Sequence, residues 1–454
     1  MRRQPRAPFA TFIRVLRISR GFTARYTPLG RLLIAVLLVS ALFALDANQT
    51  TAIGLFAILG AALVCAMLET WRWRPPLTVE RHLPQYGVHG AAVTYQLAIH
   101  NHGQRERGLE IQDYLHDHFP TREAYTELRA LHPQRDNWFD RRVGFLSWLR
   151  VARHLSGGEL NAVPLEYVAA DAVTTLAMTF HPARRGVLQF ARIALRRPDP
   201  CNLRRAEMLL LRPQELLVLP RHHPMPAFAL ATAGSRAPLM RRHAGPTPGG
   251  DEFHSLREYR HGDSLRQVHW RVSAKRGVRI VKDRVDDQSD QLLVLLDSYA
   301  SPRLFETLIE AAASVMVAAL AQLPDAVALR VIDQRRVSAT APTGRVRETL
   351  ATLARLMPAR EDHFAQALRA AALPRHVPKI ILTASWDSTR AALCSALLRG
   401  SQSATVLVIA DAPARPLPTA PEYFLLRATE LARDLAQVRP VPQASFRTRL
   451  TQHG

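Results

Sequence analysis

Leu292-Leu-Val-Leu-Leu-Asp297 is a short, continuous apolar run that ends on a carboxylate. A strand that is apolar on both faces needs cover on both faces, which is the habit of parallel sheets packed between helices. The residues downstream agree. Arg303–Leu323 has helical periodicity and stops at Pro324, Val327–Asp333 reads as a strand, and Val346–Leu356 and Phe364–Leu373 read as helices. Lys379–Thr383 and Thr405–Ala410 are two further apolar strands on either side of a helix over Thr389–Leu398. Strands alternating with helices predict a doubly wound α/β domain over residues 290–437, followed by a tail at 438–454. Ligands of such sheets gather at the carboxyl ends of the strands, and Asp297, Asp333, Asp387 and Asp411 all fall there.

Immediately upstream, residues 221–289 form a linker that carries a dense segment, Gly250-Asp-Glu-Phe-His-Ser-Leu-Arg-Glu-Tyr-Arg-His-Gly-Asp-Ser-Leu-Arg-Gln-Val-His-Trp-Arg-Val-Ser-Ala-Lys275. Gly262-Asp263 permits a tight turn, with Asp263 able to cap the residues after it and Arg266 within reach of its carboxylate. Trp270 supplies a large apolar anchor. Basic side chains outnumber acids from Arg257 to Arg284, so the segment reads first as an internal salt-bridge clasp and second as a docking surface for an acidic partner.

Farther upstream the period changes to two. Val93, Tyr95, Leu97 and Ile99 alternate with Thr94, Gln96, Ala98 and His100, and Leu176, Met178 and Phe180 alternate with Ala177 and Thr179. An antiparallel β-sandwich is expected over residues 77–220. An insert at 121–156 carries Trp138, Phe139, Phe145, Leu146, Trp148 and Leu149 at helical spacing. It is expected as a helix packed on the sandwich, with contact to a bilayer interface as the alternative.

Residues 29–75 open with two apolar runs, 29–45 and 50–68, joined only by Asp46-Ala-Asn-Gln49. Helices of that length reach about 25–29 Å, close to the hydrocarbon thickness of a bilayer. Arginines crowd the leader (residues 1–28), Arg72 and Arg74 follow the second run, and the connection holds one acid, Asp46. That asymmetry predicts a two-pass hairpin with both flanks cytoplasmic. The leader, Phe9–Phe22 included, is expected along the anionic cytoplasmic leaflet.

The formal charge of +22 comes almost wholly from arginine, since only Lys275, Lys282 and Lys379 are lysines. It reads first as a compositional habit, then as attraction to a membrane surface, and last as affinity for nucleic acid, for which no motif is present. Cys65, Cys201 and Cys394 form no CxxC pair and predict neither a disulfide framework nor a zinc site. His116, His118, His222 and His223 lack matching metal ligands at a recognisable spacing.

Glu252-Phe253, Leu256-Arg257, Tyr259, Gly262-Asp263, Arg266, His269-Trp270 and Ser273-Ala274, with Arg185-Gly186, Asp199-Pro200 and Val218-Leu219-Pro220 upstream, resemble the domain-of-unknown-function 58 family. The resemblance runs over about residues 30–435 and implies an immunoglobulin-like sandwich and a von Willebrand factor A-like α/β domain. The family's Asp-Pro-Phe-Gly-Leu turn stands here as Asp199-Pro-Cys-Asn-Leu203, with asparagine at the left-handed position. Arg257, Tyr259, Gly262, Asp263, Arg266, Trp270 and Ser273 are the signature residues expected to make the interaction surface.

Von Willebrand A domains often hold a divalent cation through Asp-x-Ser-x-Ser and a later acid. Here the segment is Asp297-Ser-Tyr-Ala-Ser301, with Tyr299 in place of the first serine and Asp362-His363-Phe364 where a threonine is expected. Asp297, Ser301 and Asp387 are therefore the candidate ligands of an eroded site for Mg2+ or a similar ion.

The resemblance also implies a bacterial inner-membrane protein that partners a MoxR-type AAA+ ATPase. The expected role is a non-enzymatic adaptor in assembling or activating a membrane or envelope complex. A divalent-metal enzyme or adhesion-type domain at the Asp297 rim is the alternative, and a polyanion binder is the third. No activated nucleophile, phosphate-cradling loop or paired catalytic carboxylates can be read from the sequence.

Overall fold

The computed structural model describes residues 9–43, 50–131, 143–226, 255–258, 270–278, 280–283, 292–323, 327–333, 336–339, 346–359, 361–371, 373, 377–400, 404–411, 415–418 and 422–438. Packing divides the chain into two units. The first comprises Met1–His223 with Ala300–Val315 and Val346–Ala359; the second comprises Pro224–Tyr299, Met316–Arg345 and Arg360–Gly454.

The first unit opens with α1 (Phe9–Arg25), α2 (Pro28–Phe43) and α3 (Thr50–Arg72). At 23 residues α3 is about 34 Å long, and only 6% of its most apolar window is buried. It is long and apolar enough to cross a membrane. The 16 residues of α2 reach about 24 Å, and the end of the expected first span lies outside the described residues. Leu32, Leu38 and Leu42 on α2 and Ile58 and Val64 on α3 are each more than half exposed. Such apolar surface, on helices that pack on one another, fits lipid better than water. Another helix, α7 below, passes the same length test but is 61% buried, as a core helix is.

Two sheets follow. One has the order β1-β3-β6, from β1 (Leu77–His82), β3 (Val93–Asn101) and β6 (Val173–Phe180). The other has the order β2-β8-β7-β4-β5, from β2 (Tyr86–Val88), β4 (Glu106–Leu115), β5 (Val163–Val168), β7 (Gly186–Pro198) and β8 (Arg205–Leu219). The pairings are antiparallel except β2 with β8. Val79, Tyr95, Leu97 and Ile99 from the first sheet share one core with Ile111, Phe190, Ile193 and Leu216 from the second. The expected alternation is seen directly: Val93, Tyr95, Leu97 and Ile99 all point inward. Within that core Arg81 donates to both oxygens of Asp113 at 2.6 and 2.7 Å, and the Tyr95 hydroxyl donates to the same carboxylate at 2.8 Å.

The insert forms α4 (Arg122–Leu131) and α5 (Phe145–Ser156). Its fully buried Trp148 meets Phe12 and Leu16 of α1, with ring centroids 5.7 Å apart between Phe12 and Trp148. Phe12 and Leu16 of the leader therefore pack on the insert, while Val15, Ile18 and Phe22 of the same helix stay exposed. An amphipathic pattern states which face is buried, not what buries it. The expected Trp138 and Phe139 lie outside the described residues.

The start of α2 is stitched to the turn between β7 and β8. The Asp199 carboxylate accepts the amides of Leu203 at 2.7 Å and Arg204 at 2.6 Å, and Asn202 takes φ 52° as anticipated. Thr27 donates its hydroxyl to the Asn202 carbonyl. A Cβ on Gly30 would meet the Leu203 carbonyl oxygen at 1.8 Å, so only glycine allows this approach.

Residues 302–315 of α7 (Pro302–Gln322) and α8 (Val346–Arg355) complete the first unit, α8 lying on β7 and β8. Arg185 donates to Glu306 and, at 2.8 Å, to the carbonyl of Leu356.

The second unit is built on six strands in the order β13-β12-β11-β14-β15-β16: β11 (Leu292–Asp297), β12 (Val327–Asp333), β13 (Arg336–Ala339), β14 (Lys379–Thr383), β15 (Ala404–Ile409) and β16 (Tyr423–Leu426). All pairings are parallel except β12 with β13. Every residue of β11, β14 and β15 is buried, as continuous apolar strands require. The helices α9 (Phe364–Ala370), α10 (Ser388–Gly400) and α11 (Leu431–Gln437) belong to the same unit. The short edge strands β13 and β16 were not expected. Upstream, β9 (Ser255–Glu258) pairs antiparallel with β10 (Ile280–Asp283), and α6 (Trp270–Arg276) lies between them in sequence.

Candidate functional site

At the carboxyl end of β11 the chain places Asp297, 1% exposed. Its backbone extends the sheet while its side chain meets the ends of neighbouring elements, the location where α/β sheets keep their sites. One carboxylate oxygen, Oδ2, accepts the hydroxyl of Thr383 at 2.8 Å and Nε of Arg390 at 2.9 Å. The other, Oδ1, accepts the Tyr299 amide at 3.1 Å.

Arg390 is the centre of the arrangement. It sits in the first turn of α10, where the Asp387 carboxylate caps its amide at 2.7 Å. The guanidinium side chain, 1% exposed, contacts three acids. Nη1 and Nη2 bind Asp362 in a two-point fork at 2.7 and 2.9 Å, and Nη1 also donates to Asp387 at 2.9 Å. Phe364 lies 4.8 Å and Tyr299 5.7 Å from the guanidinium carbon, so two rings cover the cation.

The electrostatics follow from this geometry. Burial raises the Asp297 carboxyl above the ordinary carboxylate value, while Arg390 and Thr383 oppose the rise. Burial acts the same way on Asp362, but there the hydrogen bonds from Arg390 and the Phe364 amide win and hold the carboxyl below its usual value. Burial alone would weaken Arg390 as a base, yet Asp362 and Asp297 raise its pKa further. Cys394, one turn on from Arg390, is pushed up to about 12 by burial first and by Asp297 second, which leaves a thiol and not a nucleophilic thiolate.

The structure thus brings two of the three expected metal ligands, Asp297 and Asp387, onto one group, and that group is a guanidinium. An ion bound to these carboxylates would have to displace hydrogen bonds that Arg390 already makes to both. The donor set therefore suits an internal cation better than a divalent metal, and among the described residues no cluster of three His, Cys, Asp or Glu side chains is arranged to hold one. Ser301 is exposed at the entry to α7, where its carbonyl accepts the Phe305 amide at 2.8 Å.

Sequence reasoning missed Arg390 and Thr383. The signal was available: an arginine three residues after Asp387 and four before Cys394, on the face of a helix that turns inward. Asp362, read only as a departure from the metal-site pattern, is the fork's acceptor.

Of the signature residues, Tyr259, Gly262, Asp263 and Arg266 lie outside the described residues, as does the side chain of Arg257, whose backbone pairs with Val281. Trp270, expected as an apolar anchor, is 63% exposed at the start of α6. Ser273, on the same helix, is half-buried, and its carbonyl accepts the Gly277 amide at 2.9 Å.

No curated protein matches the chain. Two solved structures are similar to part of it: the CARDB domain of the PF1109 protein from Pyrococcus furiosus, solved with di-metal ions, and the ASH/PapD-like domain of human CEP192. They are 12% and 11% identical, each covers 32% of this chain and 89% of its own, and their TM-scores of 0.17 and 0.18 carry no inference about function. The family model described as "Protein of unknown function DUF58" matches residues 255–420, a span that takes in the paired strands β9 and β10, the parallel sheet as far as β15 and the whole Arg390 cluster. That segment of the chain, residues 255–420, is therefore its DUF58 domain.

Proposed function

We propose that the chain is a membrane-anchored, non-enzymatic adaptor that acts with a MoxR-type AAA+ ATPase in assembling or activating a membrane or envelope complex. In this reading the two sheets of the first unit are an immunoglobulin-like sandwich, and the six-stranded sheet is a von Willebrand factor A-like domain. The helices α2 and α3 are two passes through the bacterial inner membrane. Arg14, Arg17, Arg20 and Arg25 before them, and Arg72 and Arg74 after them, favour a cytoplasmic position for both flanks.

The observation that carries the non-enzymatic part is the Arg390 cluster. Its acids are committed to a buried guanidinium, so the rim offers a fixed surface where an enzyme would need an activated nucleophile or an open coordination sphere. The test is binding of the purified full-length chain, in detergent, to a MoxR-type ATPase encoded with it. Saturable binding at low salt, weakened by Asp263→Ala, is expected; no binding with both proteins folded would overturn the proposal.

The convergence of Asp297 and Asp387 favours one second reading, a divalent-metal site at this rim. It requires Arg390 to yield its place to the ion.

A further inference from the structure

Between the last turns of α3 and strand β8 lies a groove of about 760 Å3. Its walls are apolar: Val64, Met67 and Leu68 come from α3, and Met208 and Leu209 from β8. Val64, Met67, Leu68 and Leu209 are each more than half exposed, so the groove is open and greasy. Its mouth is different. Arg25, Arg74, Arg204 and Arg205 all line it.

Their charges are unequally balanced. Arg205 pairs with Glu110 at 3.4 Å. Glu207, the acid in the lining, is itself taken by Arg196 at 3.0 Å. Arg25 and Arg74 are exposed and have no ion-pair partner among the described residues. Arg204 is held in place, with Nη1 donating to the Thr70 hydroxyl at 2.6 Å and the Met67 carbonyl at 3.3 Å, while its buried Nε has no acceptor among the described residues. The backbone beside Arg204 is fixed by the turn that clasps Thr27 and Gly30, so this arginine stands at the mouth before any ligand arrives.

We propose that the groove binds one anionic phospholipid, with its phosphate at Arg25, Arg74 and Arg204 and an acyl chain along Val64, Leu68 and Leu209. Three features select this occupant. The groove opens at the end of the apolar helix, where exposed Trp71 marks a headgroup layer. The unpaired arginines call for a net negative headgroup, which a zwitterionic lipid does not supply. The apolar walls call for a hydrocarbon chain, which free phosphate or a nucleotide lacks. The proposal rests on the membrane reading of α2 and α3 and is independent of the ATPase.

The experiment is native mass spectrometry of the full-length chain, released from detergent after incubation with phosphatidylglycerol or phosphatidylcholine. One retained phosphatidylglycerol per chain is expected, with little phosphatidylcholine. The double variant Arg25→Ala/Arg74→Ala should retain about tenfold less or lower, because each arginine near a headgroup contributes measurably to anionic lipid affinity. Arg107→Ala, on an exposed arginine of β4 outside the groove, should retain the lipid as the parent does. Both groove arginines are exposed, so the double variant should melt like the parent. Equal retention of the two lipids, or full retention by the double variant, would overturn the proposal. So would displacement of the lipid by millimolar inorganic phosphate, which marks a phosphate site instead. Carbonate extraction of membranes keeps the two readings apart. A chain that washes off refutes the membrane anchor, whereas a chain that stays but holds no phosphatidylglycerol refutes the lipid site alone.

Discussion

Arg390 collects carboxylates from three places in the sequence: the end of β11, the loop before α9 and the turn that opens α10. Each contact is a charge-assisted hydrogen bond, and the pair with Asp297 is buried on both sides, which makes loss of the cation costly there. Arg390→Ala would leave Asp297 buried without its counter-charge. Removing one partner of such a pair costs roughly 3–5 kcal/mol, and faster amide exchange across β11 and β14 would report it. Arg390→Lys should recover only part, since an ammonium cannot reproduce the fork on Asp362. Wild-type exchange in Arg390→Ala would show that the cluster is not what holds this rim. Asp297 and Asp387 are legible in the sequence because strand ends of α/β sheets are predictable positions. Arg390 is signalled only by its spacing from Asp387 and Cys394, and an arginine within an apolar helix reads as surface until the fold shows which face is inside.

Among the elements, periodicity locates strands and helices well. Val93–Ile99 alternates and is half-buried; Leu292–Leu296 does not alternate and is covered on both sides. The four-residue strands β13 and β16 are too short to display a period and escape a reading of this kind. Partners are harder to read than elements. The apolar stripe of α1 points to lipid, yet Phe12 and Leu16 pack on Trp148 of the insert. Trp148 is fully buried, and deleting such a ring costs about 3–5 kcal/mol at a well-packed site. Trp148→Ala should therefore release α1, seen as faster amide exchange over Phe9–Arg25, with the strands of the sandwich unaffected. Unchanged protection of α1 would mean that the leader is held by something else. The stripe Val15, Ile18 and Phe22 remains exposed on the same helix, on a face beside the one that packs on the insert, and that face is open to a membrane surface.

As a whole, the molecule joins an apolar hairpin, a two-sheet body and a parallel sheet whose acidic rim is neutralised from within. The family segment accounts for residues 255–420, and the apolar helices α2 and α3 and the two sheets of the first unit precede it. The chain's excess of arginine has several structural uses that composition could not reveal. Arg81, Arg185, Arg196 and Arg390 are buried or nearly so and engage acids, which removes them from any explanation based on a free cationic surface. On the adaptor reading, the rim's cation is Arg390 and the protein works there without a bound metal. Calorimetric titration of the full-length chain with Mg2+, beside Asp387→Asn, is the decisive measurement. No saturable heat is expected from either protein; saturable Mg2+ binding by the parent that disappears in Asp387→Asn would refute that reading of the rim.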